Sequence, residues 1–349
     1  MRIGVANVQV PFVHGGAEVH ANNLVQQLRA RGFETELITV PFKWYPPERL
    51  LESIAIARML DLSEANGVRI DRLIGLKFPI YLAPHPDKVL WILHQYRSAY
   101  DLWDDSEHGD LINLPMGQAV RAAVHHADRR FIPEAKAIYA NSRNVADRLE
   151  RYNGITAKPL YHPPAGAERF QSADARDYFF FPSRITPLKR QRLVIDALAL
   201  CKEPVRVVFA GAAEVPSYMA ELQQRSRETG LGERVVFKGF TSDEEKLDLY
   251  AHSLGVVYPP VDEDYGYVTL EAMLSCKPVI TTLDSGGPLE FVEHEQTGLV
   301  CTPDAAGLAA MMDELWRNRV IAMRMGEAGR EFYDALGISW DKVIEALTT

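Results

Sequence analysis

Between residues 2 and 302 the chain alternates short apolar runs with stretches of helical periodicity, and this alternation constrains the fold more than any other feature. Runs too short for helices, rich in Val, Ile and Phe and closed by turn residues, read as strands buried on both faces. Interleaved with helical patterns, they predict parallel sheets covered on both sides. In the first half the runs lie at 2–8, 34–40, 72–77, 88–94 and 137–142. The clearest helix spans 17–31, with apolar positions at 17, 21, 24, 25 and 28 and a stop at Gly32. The second half repeats the scheme at 177–183, 205–211, 234–239, 253–259, 277–282 and 297–302, and helical patterns fill the stretch from about 305 to 347. Residues 162–177, rich in Pro, Gly and small polar side chains, read as a linker. At 349 residues the chain has material for two domains. The expectation is therefore two Rossmann-like α/β domains facing across a cleft, 1–165 and 166–330, with a C-terminal helix in 331–349 packing on the first.

Charge is divided unevenly between these halves. Residues 1–165 carry 19 Lys and Arg against 18 Asp and Glu, and residues 166–349 carry 19 against 29. A nucleic-acid binder would show a basic stripe or a high pI, so nucleic acid is excluded as a partner. No run of 18 apolar residues occurs and the N-terminus enters a strand at once, which predicts a cytoplasmic protein. Cys201, Cys276 and Cys301 lie far apart without metal-binding spacing, consistent with a reducing compartment.

Ligands of such sheets bind beyond the carboxyl ends of the strands, and four loops there carry unusual residues. After the first strand, Gly15 and Gly16 precede a helix; adjacent glycines let a backbone approach a ligand, but they serve equally as a loop and helix cap. Their spacing is not the Gly-x-Gly-x-x-Gly of dinucleotide folds. In "SRITPLKRQR", Arg184 and Lys189 stand five apart on a strand-to-helix loop. That pairing of a planar guanidinium with a compact ammonium suits a diphosphate. The stretch "DEDYGYVTLEA", 262–272, places four carboxylates around Tyr265, Gly266, Tyr267 and Val268 at a helix start, where amides favour phosphate. Carboxylates repel phosphate, so Glu263 and Glu271 are better used on hydroxyl groups, of which a sugar nucleotide carries two sets, on the sugar and on the ribose, while Asp262 and Asp264 read as rim or turn residues. Alternatively, Asp262-Glu263-Asp264 forms an Asp-x-Asp motif able to chelate a divalent metal through phosphates; the two cations make that metal redundant. Downstream, Gly286 and Gly287 end another strand before "PLE".

In the first half His94 closes a strand, placed either to touch a reacting sugar or to cap the strand. Tyr96, Tyr100 and Trp103 follow it and can stack on an acceptor sugar or simply pack their loop. Arg121, His125, Arg129 and Arg130 form a basic helix face, read as solvated or as greeting a phosphate-bearing lipid head group or anionic membrane surface.

Together these segments resemble the retaining, two-domain glycosyltransferases of family 4, with the GT-B architecture. The resemblance rests on "GGAEVHANNLVQQLRARG", "ANSRNVADRL", "SRITPLK", "FKGF" and "EDYGYVTLEAMLSCKPVITTLDSGGPLEFV", and covers most of the chain. It implies that Arg184 and Lys189 contact the donor diphosphate, that Glu263 bonds the donor sugar and that Glu271 bonds the ribose. It places amides of Gly266 to Val268 at the sugar or phosphate, Gly211, Gly239 and Phe240 toward the nucleotide, Gly15 and Gly16 at the phosphates, and His94 near the anomeric carbon. Same-face attack, with the leaving phosphate taking the acceptor's proton, is the implied route, although Glu263 is a candidate nucleophile for double displacement. Implied substrates are a UDP- or GDP-sugar and a glycan or lipid-linked acceptor in surface polysaccharide biosynthesis, without cofactor or metal, and with peripheral contact to the inner membrane face through the first domain as a further option. Two departures from the family pattern stand out: Cys276 replaces a usual glycine, and Lys189-Arg190 replaces a commoner Lys-Gly. An epimerase or phosphorylase of this architecture, or a non-catalytic sugar-nucleotide-binding subunit, are the competing readings; no pyridoxal-lysine motif supports a phosphorylase.

Overall fold

Every apolar run in the sequence becomes a strand, and each half of the chain joins its strands in parallel, as the computed structural model shows for residues 1–12, 15–105 and 107–349. Two units result: 1–165 together with 339–349, and 166–338.

In the first unit the strands are β1 (Arg2–Gln9), β2 (Glu34–Pro41), a short antiparallel hairpin β3 (Glu64–Ala65) and β4 (Val68–Arg69), β5 (Arg72–Lys77), β6 (Lys88–His94), β7 (Ala137–Ala140) and β8 (Lys158–Pro159). The sheet runs β2-β1-β5-β6-β7-β8, so its strand order reverses between β1 and β5. Its helices are α1 (Gly16–Ala30), α2 (Glu48–Met59), α3 (Gly117–Phe131) and α4 (Arg143–Asn153). Alternation along each strand divides the core. Ala6, Val8, Leu90 and Ile92 face one side with Val120, Val124 and Leu149, while Val5, Ile74 and Trp91 face the other with Leu24 and Leu28. The N-terminus of α4 is set by Ser142, whose hydroxyl accepts the Val145 amide at 3.0 Å, and its end by Gly154 in the left-handed conformation.

The second unit orders its strands β11-β10-β9-β12-β13-β14, the doubly wound arrangement with its reversal between β9 and β12. These are β9 (Phe179–Pro182), β10 (Val207–Ala210), β11 (Val235–Gly239), β12 (Gly255–Val257), β13 (Val279–Thr282) and β14 (Gly298–Cys301). Helices α5 (Gln191–Leu200), α6 (Pro216–Glu228), α7 (Asp243–His252), α8 (Tyr267–Leu274), α9 (Ala305–Arg317) and α10 (Arg319–Leu336) cover it. The sequence boundary at 330 falls inside α10 and moves to 338. The reason is packing: at Gly326 a Cβ would come 2.0 Å from the Cys276 carbonyl oxygen, so α10 is pressed against the end of α8.

The last helix, α11 (Trp340–Thr348), is part of the first unit. Its Val343, Ile344 and Leu347 join the core beside α1, and the Arg72 guanidinium donates to the Leu347 carbonyl at 3.0 Å.

Candidate functional site

A reversal of strand order leaves a crevice at the carboxyl ends of the two flanking strands, because their following helices depart to opposite faces. In the second unit those strands are β9 and β12, and the loops that leave them carry Arg184, Lys189 and the 262–272 carboxylates.

The loop after β9 is laid against the loop after β10. Ser183 donates its amide to Ala210 at 3.0 Å, and a Cβ on Gly211 would lie 1.9 Å from the Ser183 carbonyl oxygen. Only glycine fits there, so Gly211 is a packing requirement of the site loop. Arg184 extends from this loop, about half exposed, and pairs with Glu214. A 3₁₀ turn at Pro187–Lys189 then turns Lys189 inward. Its ammonium pairs with the Glu263 carboxylate and lies 3.1 Å from the Tyr258 hydroxyl at the end of β12. Burial, followed by the Glu263 charge, pushes the Tyr258 phenol well above its ordinary value, so it remains a neutral hydroxyl.

The backbone that presents Glu263 is fixed by pairing with the segment after β13. Asp262 and Glu263 donate to Asp284 and Ser285 at 2.9 and 2.8 Å, and Gly287 donates to Glu263 at 2.7 Å. Gly287 has no room for a side chain, since a Cβ would meet backbone atoms of Asp264 and Tyr265 at 2.9 Å. The "SGGP" glycines therefore buttress the carboxylate loop. Gly266, at φ 78°, starts α8 without any side-chain cap, which leaves the amide end of that helix dipole for an anion. Tyr265 is buried and meets Tyr267 and Phe291 edge-on at 5.1 and 6.0 Å, pinning the turn. Val268 lies in the first turn of α8 and is buried.

One helical turn beyond Tyr267, Glu271 is 7 % exposed. Lys246 donates to its Oε1 at 2.6 Å and the Tyr250 hydroxyl to its Oε2 at 2.7 Å. Each carboxylate oxygen keeps a second lone pair, so any further hydroxyl donor has to share this group. Gly239 ends β11 at φ 72° and accepts the Gly211 amide at 2.7 Å, while the Phe240 ring beside it is exposed.

Both departures from the family pattern fall on left-handed backbone: φ is 52° at Cys276 and 59° at Arg190, conformations that favour glycine. Arg190 is anchored by two bonds to Asp284, at 2.8 and 2.7 Å. Burial pushes the Asp284 carboxyl up, but the bonds from Arg190 and Thr282 outweigh it and hold the group below its usual range.

In the first unit His94 ends β6 opposite Lys77, with Nδ1 2.6 Å from the Gln95 carbonyl oxygen. Three readings are decided or corrected by the structure. The Gly15 amide is occupied, donating to Glu18 Oε2 at 2.8 Å as part of the cap of α1, whose first residue is Gly16. Tyr100 and Trp103, only 2 % and 7 % exposed, are core residues without an open stacking face, and Tyr96 is partly buried against Phe78 at 5.7 Å. Arg121 is turned inward, over the Trp103 ring at 4.5 Å and onto the Ala99 carbonyl at 3.1 Å, instead of presenting a solvated cation.

Glu214, Tyr258, Lys246, Tyr250 and Asp284 were not foreseen. Of these only Tyr258, closing the run "VVYPP" at a strand's carboxyl end, carried a sequence signal. Among the described residues no group of three or more His, Cys, Asp or Glu is placed to hold a metal ion.

Residues 167–332 match the family profile described as glycosyl transferases group 1, and residues 14–166 match glycosyltransferase family 4. An uncharacterized glycosyltransferase of Methanocaldococcus jannaschii is 31% identical over 344 residues, covering 84% of this chain and 83% of that protein. An alpha-1,3/1,6-mannosyltransferase of Dictyostelium discoideum is 22% identical over 72% of this chain, which spans 65% of the relative's length. Among solved structures, Anabaena HepE in complex with UDP and glucose shares the fold, with a TM-score of 0.72 at 20% identity over 100% of this chain and 99% of that one.

Proposed function

The chain belongs to the family 4 glycosyltransferases, and from that membership we propose that it moves a sugar from a UDP- or GDP-sugar to a hydroxyl acceptor with retention of anomeric configuration. The observation that carries this reading is the pairing of Lys189 with Glu263 beside Tyr258 at the strand-order reversal of the second sheet. A diphosphate competes with Glu263 for the ammonium and with Glu214 for the Arg184 guanidinium. The carboxylate so released is an acceptor for sugar hydroxyls. Cation and carboxylate thus neutralise each other until the donor supplies a partner for each, and the α8 amides add dipole stabilisation to the phosphate.

In the proposed reaction the bond from the anomeric carbon to the diphosphate oxygen breaks, and the acceptor oxygen attacks from the same face. The acceptor's proton passes to the leaving phosphate oxygen, whose growing charge Arg184 and Lys189 stabilise. Two fixed cations supply the neutralisation that a divalent ion gives elsewhere, so the reading needs no metal. Glu271 holds the ribose, and His94 acts beside the reacting sugar.

The UDP in the Anabaena structure supports a uridine donor and the mannosyltransferase relative supports a hexose, and we propose a glycan or lipid-linked acceptor of the kind used in surface polysaccharide assembly. No helix among the described residues is long and apolar enough to cross a membrane. We assign the enzyme to the cytoplasm, with any membrane contact peripheral and through the first unit.

A thermal-shift panel of UDP, GDP, ADP and CMP in EDTA tests the site, followed by donor hydrolysis with the matching sugar nucleotides. One diphosphate should raise Tm in EDTA. Stabilisation by none of them, or only after a divalent ion is added, would refute the metal-free diphosphate site.

A further inference from the structure

Helix α3 presents Arg121, His125 and Asp128 along one stripe, at i, i+4 and i+7, toward the segment that follows β6. The Arg121 Nε and His125 Nε2 lie 3.1 and 2.8 Å from the Ala99 carbonyl oxygen, and the His125 ring stacks on Tyr100 at 4.2 Å. Asp128 goes deeper. It is fully buried, and its carboxylate accepts the Tyr81 hydroxyl at 3.0 Å and the Tyr100 hydroxyl at 2.7 Å. Asn153 extends the network, donating to the Tyr100 hydroxyl at 3.1 Å and accepting from Gln95 Nε2. All of these partners are neutral.

A carboxylate buried among neutral donors is an expensive way to fill space, because an apolar side chain of the same volume packs at no desolvation cost. What the carboxylate adds is direction. It ties the turn after β5, through Tyr81, to Tyr100 beyond β6, and Tyr100 is joined through Asn153 to Gln95 at the start of the same segment. Gln95 is bonded to His94 in sequence, and its carbonyl lies 2.6 Å from His94 Nδ1, so the network fixes the group that orients the imidazole.

We propose that Asp128 is the positioning residue for His94, holding the Gln95–Tyr100 segment so that the imidazole meets the reacting sugar in one orientation. This rests on the reading of His94 given above, and the experiment separates the two. Asp128→Asn and Tyr100→Phe should fold with native circular dichroism and bind nucleotide in the second unit within about twofold of the parent. Donor hydrolysis kcat, measured with UDP-glucose and GDP-mannose, should fall about tenfold or more with little change in KM. In a His94→Ala background the same Asp128→Asn change should cost nothing further, whereas a general structural lesion would cost as much in either background. Independently of turnover, the ¹⁵N-imidazole resonance of His94, identified by its loss in His94→Ala, should shift in Asp128→Asn. An unmoved resonance, or equal losses in both backgrounds, overturns the positioning role. Full hydrolysis activity in His94→Ala alone overturns the reading of His94.

Discussion

Lys189 and Glu263 form an ion pair across the reversal of strand order in the second sheet, one on the loop after β9 and the other on the loop after β12. Both side chains are mostly buried, so removing either strands the other in a poorly solvated place. Lys189→Ala should weaken diphosphate binding at least tenfold by titration calorimetry. Glu263→Gln removes the competitor for the Lys189 ammonium, so it should tighten binding of the nucleotide alone while lowering transfer kcat by about 10²-fold. Unchanged turnover in Glu263→Gln would remove that carboxylate from the mechanism.

Glu271 carries structural and recognition roles on the same two oxygens, which different substitutions separate. Glu271→Ala leaves the Lys246 ammonium and the buried Tyr250 hydroxyl without their acceptor, at an expected cost of about 2–4 kcal/mol in urea unfolding. Glu271→Gln keeps an acceptor for Tyr250 and should cost about 1 kcal/mol while reducing the preference for UDP over 2′-deoxy-UDP. If that preference survives in Glu271→Gln, the ribose contact lies elsewhere.

Cys276 adopts φ 52° at the end of α8, where a side chain strains the backbone. Glycine relieves about 1 kcal/mol of that strain and costs a comparable amount of unfolded-state entropy. Cys276→Gly is therefore expected to leave the second unit as stable as the parent or up to about 1 kcal/mol more stable. A loss above about 2 kcal/mol would show that the thiol's packing outweighs the backbone.

Acid should destabilise the first unit for a reason unrelated to its surface. His20 and His162, 3.0 Å apart and fully buried, have their imidazoles pushed down by burial, His20 to about 3. Below pH 6.5 the unfolded chain binds protons there that the folded chain does not, so stability falls as pH drops through that range and is flat above it. Asp128 opposes this: burial raises its carboxyl to about 7, so the folded state holds an extra proton between about pH 7 and 4. Two buried histidines against one carboxyl, with half-buried His125 lowered by burial in the same sense, leave a net loss of about 1.4 kcal/mol per pH unit between pH 6 and 5. Asp128→Asn removes the opposing group and should roughly double the slope. Urea titrations at pH 5 to 7 decide it, and a parent that is equally stable at pH 5 and 7 would contradict the buried, neutral histidines.

The parallel sheets were legible because strands covered on both faces read as unbroken apolar runs; β8, two residues at a sheet edge, gave no such run. Arg184, Lys189 and Glu263 were singled out because ligands of such sheets are met at the ends of those runs, and the structure brings Lys189 and Glu263 together. Their partners were not: Glu214 lies 30 residues from Arg184, and Lys246 lies 25 from Glu271, with nothing local to link them. The aromatic loop after β6 was left undecided for a related reason. Tyr100 and Trp103 carry polar atoms that suit either solvent or a buried partner, and Asp128, the partner that decides for Tyr100, comes 28 residues later.

Helix α11 has a consequence for how the protein is made. Its Val343, Ile344 and Leu347 complete the core beside α1, and its backbone receives the Arg72 guanidinium, yet these residues follow the whole second unit in the chain. On the ribosome, residues 1–165 emerge first but wait, with the α1 side of their sheet partly uncovered, until 339–349 have been synthesised. The unit begun first is therefore finished last, and its exposed apolar face is where a chaperone has reason to bind during synthesis.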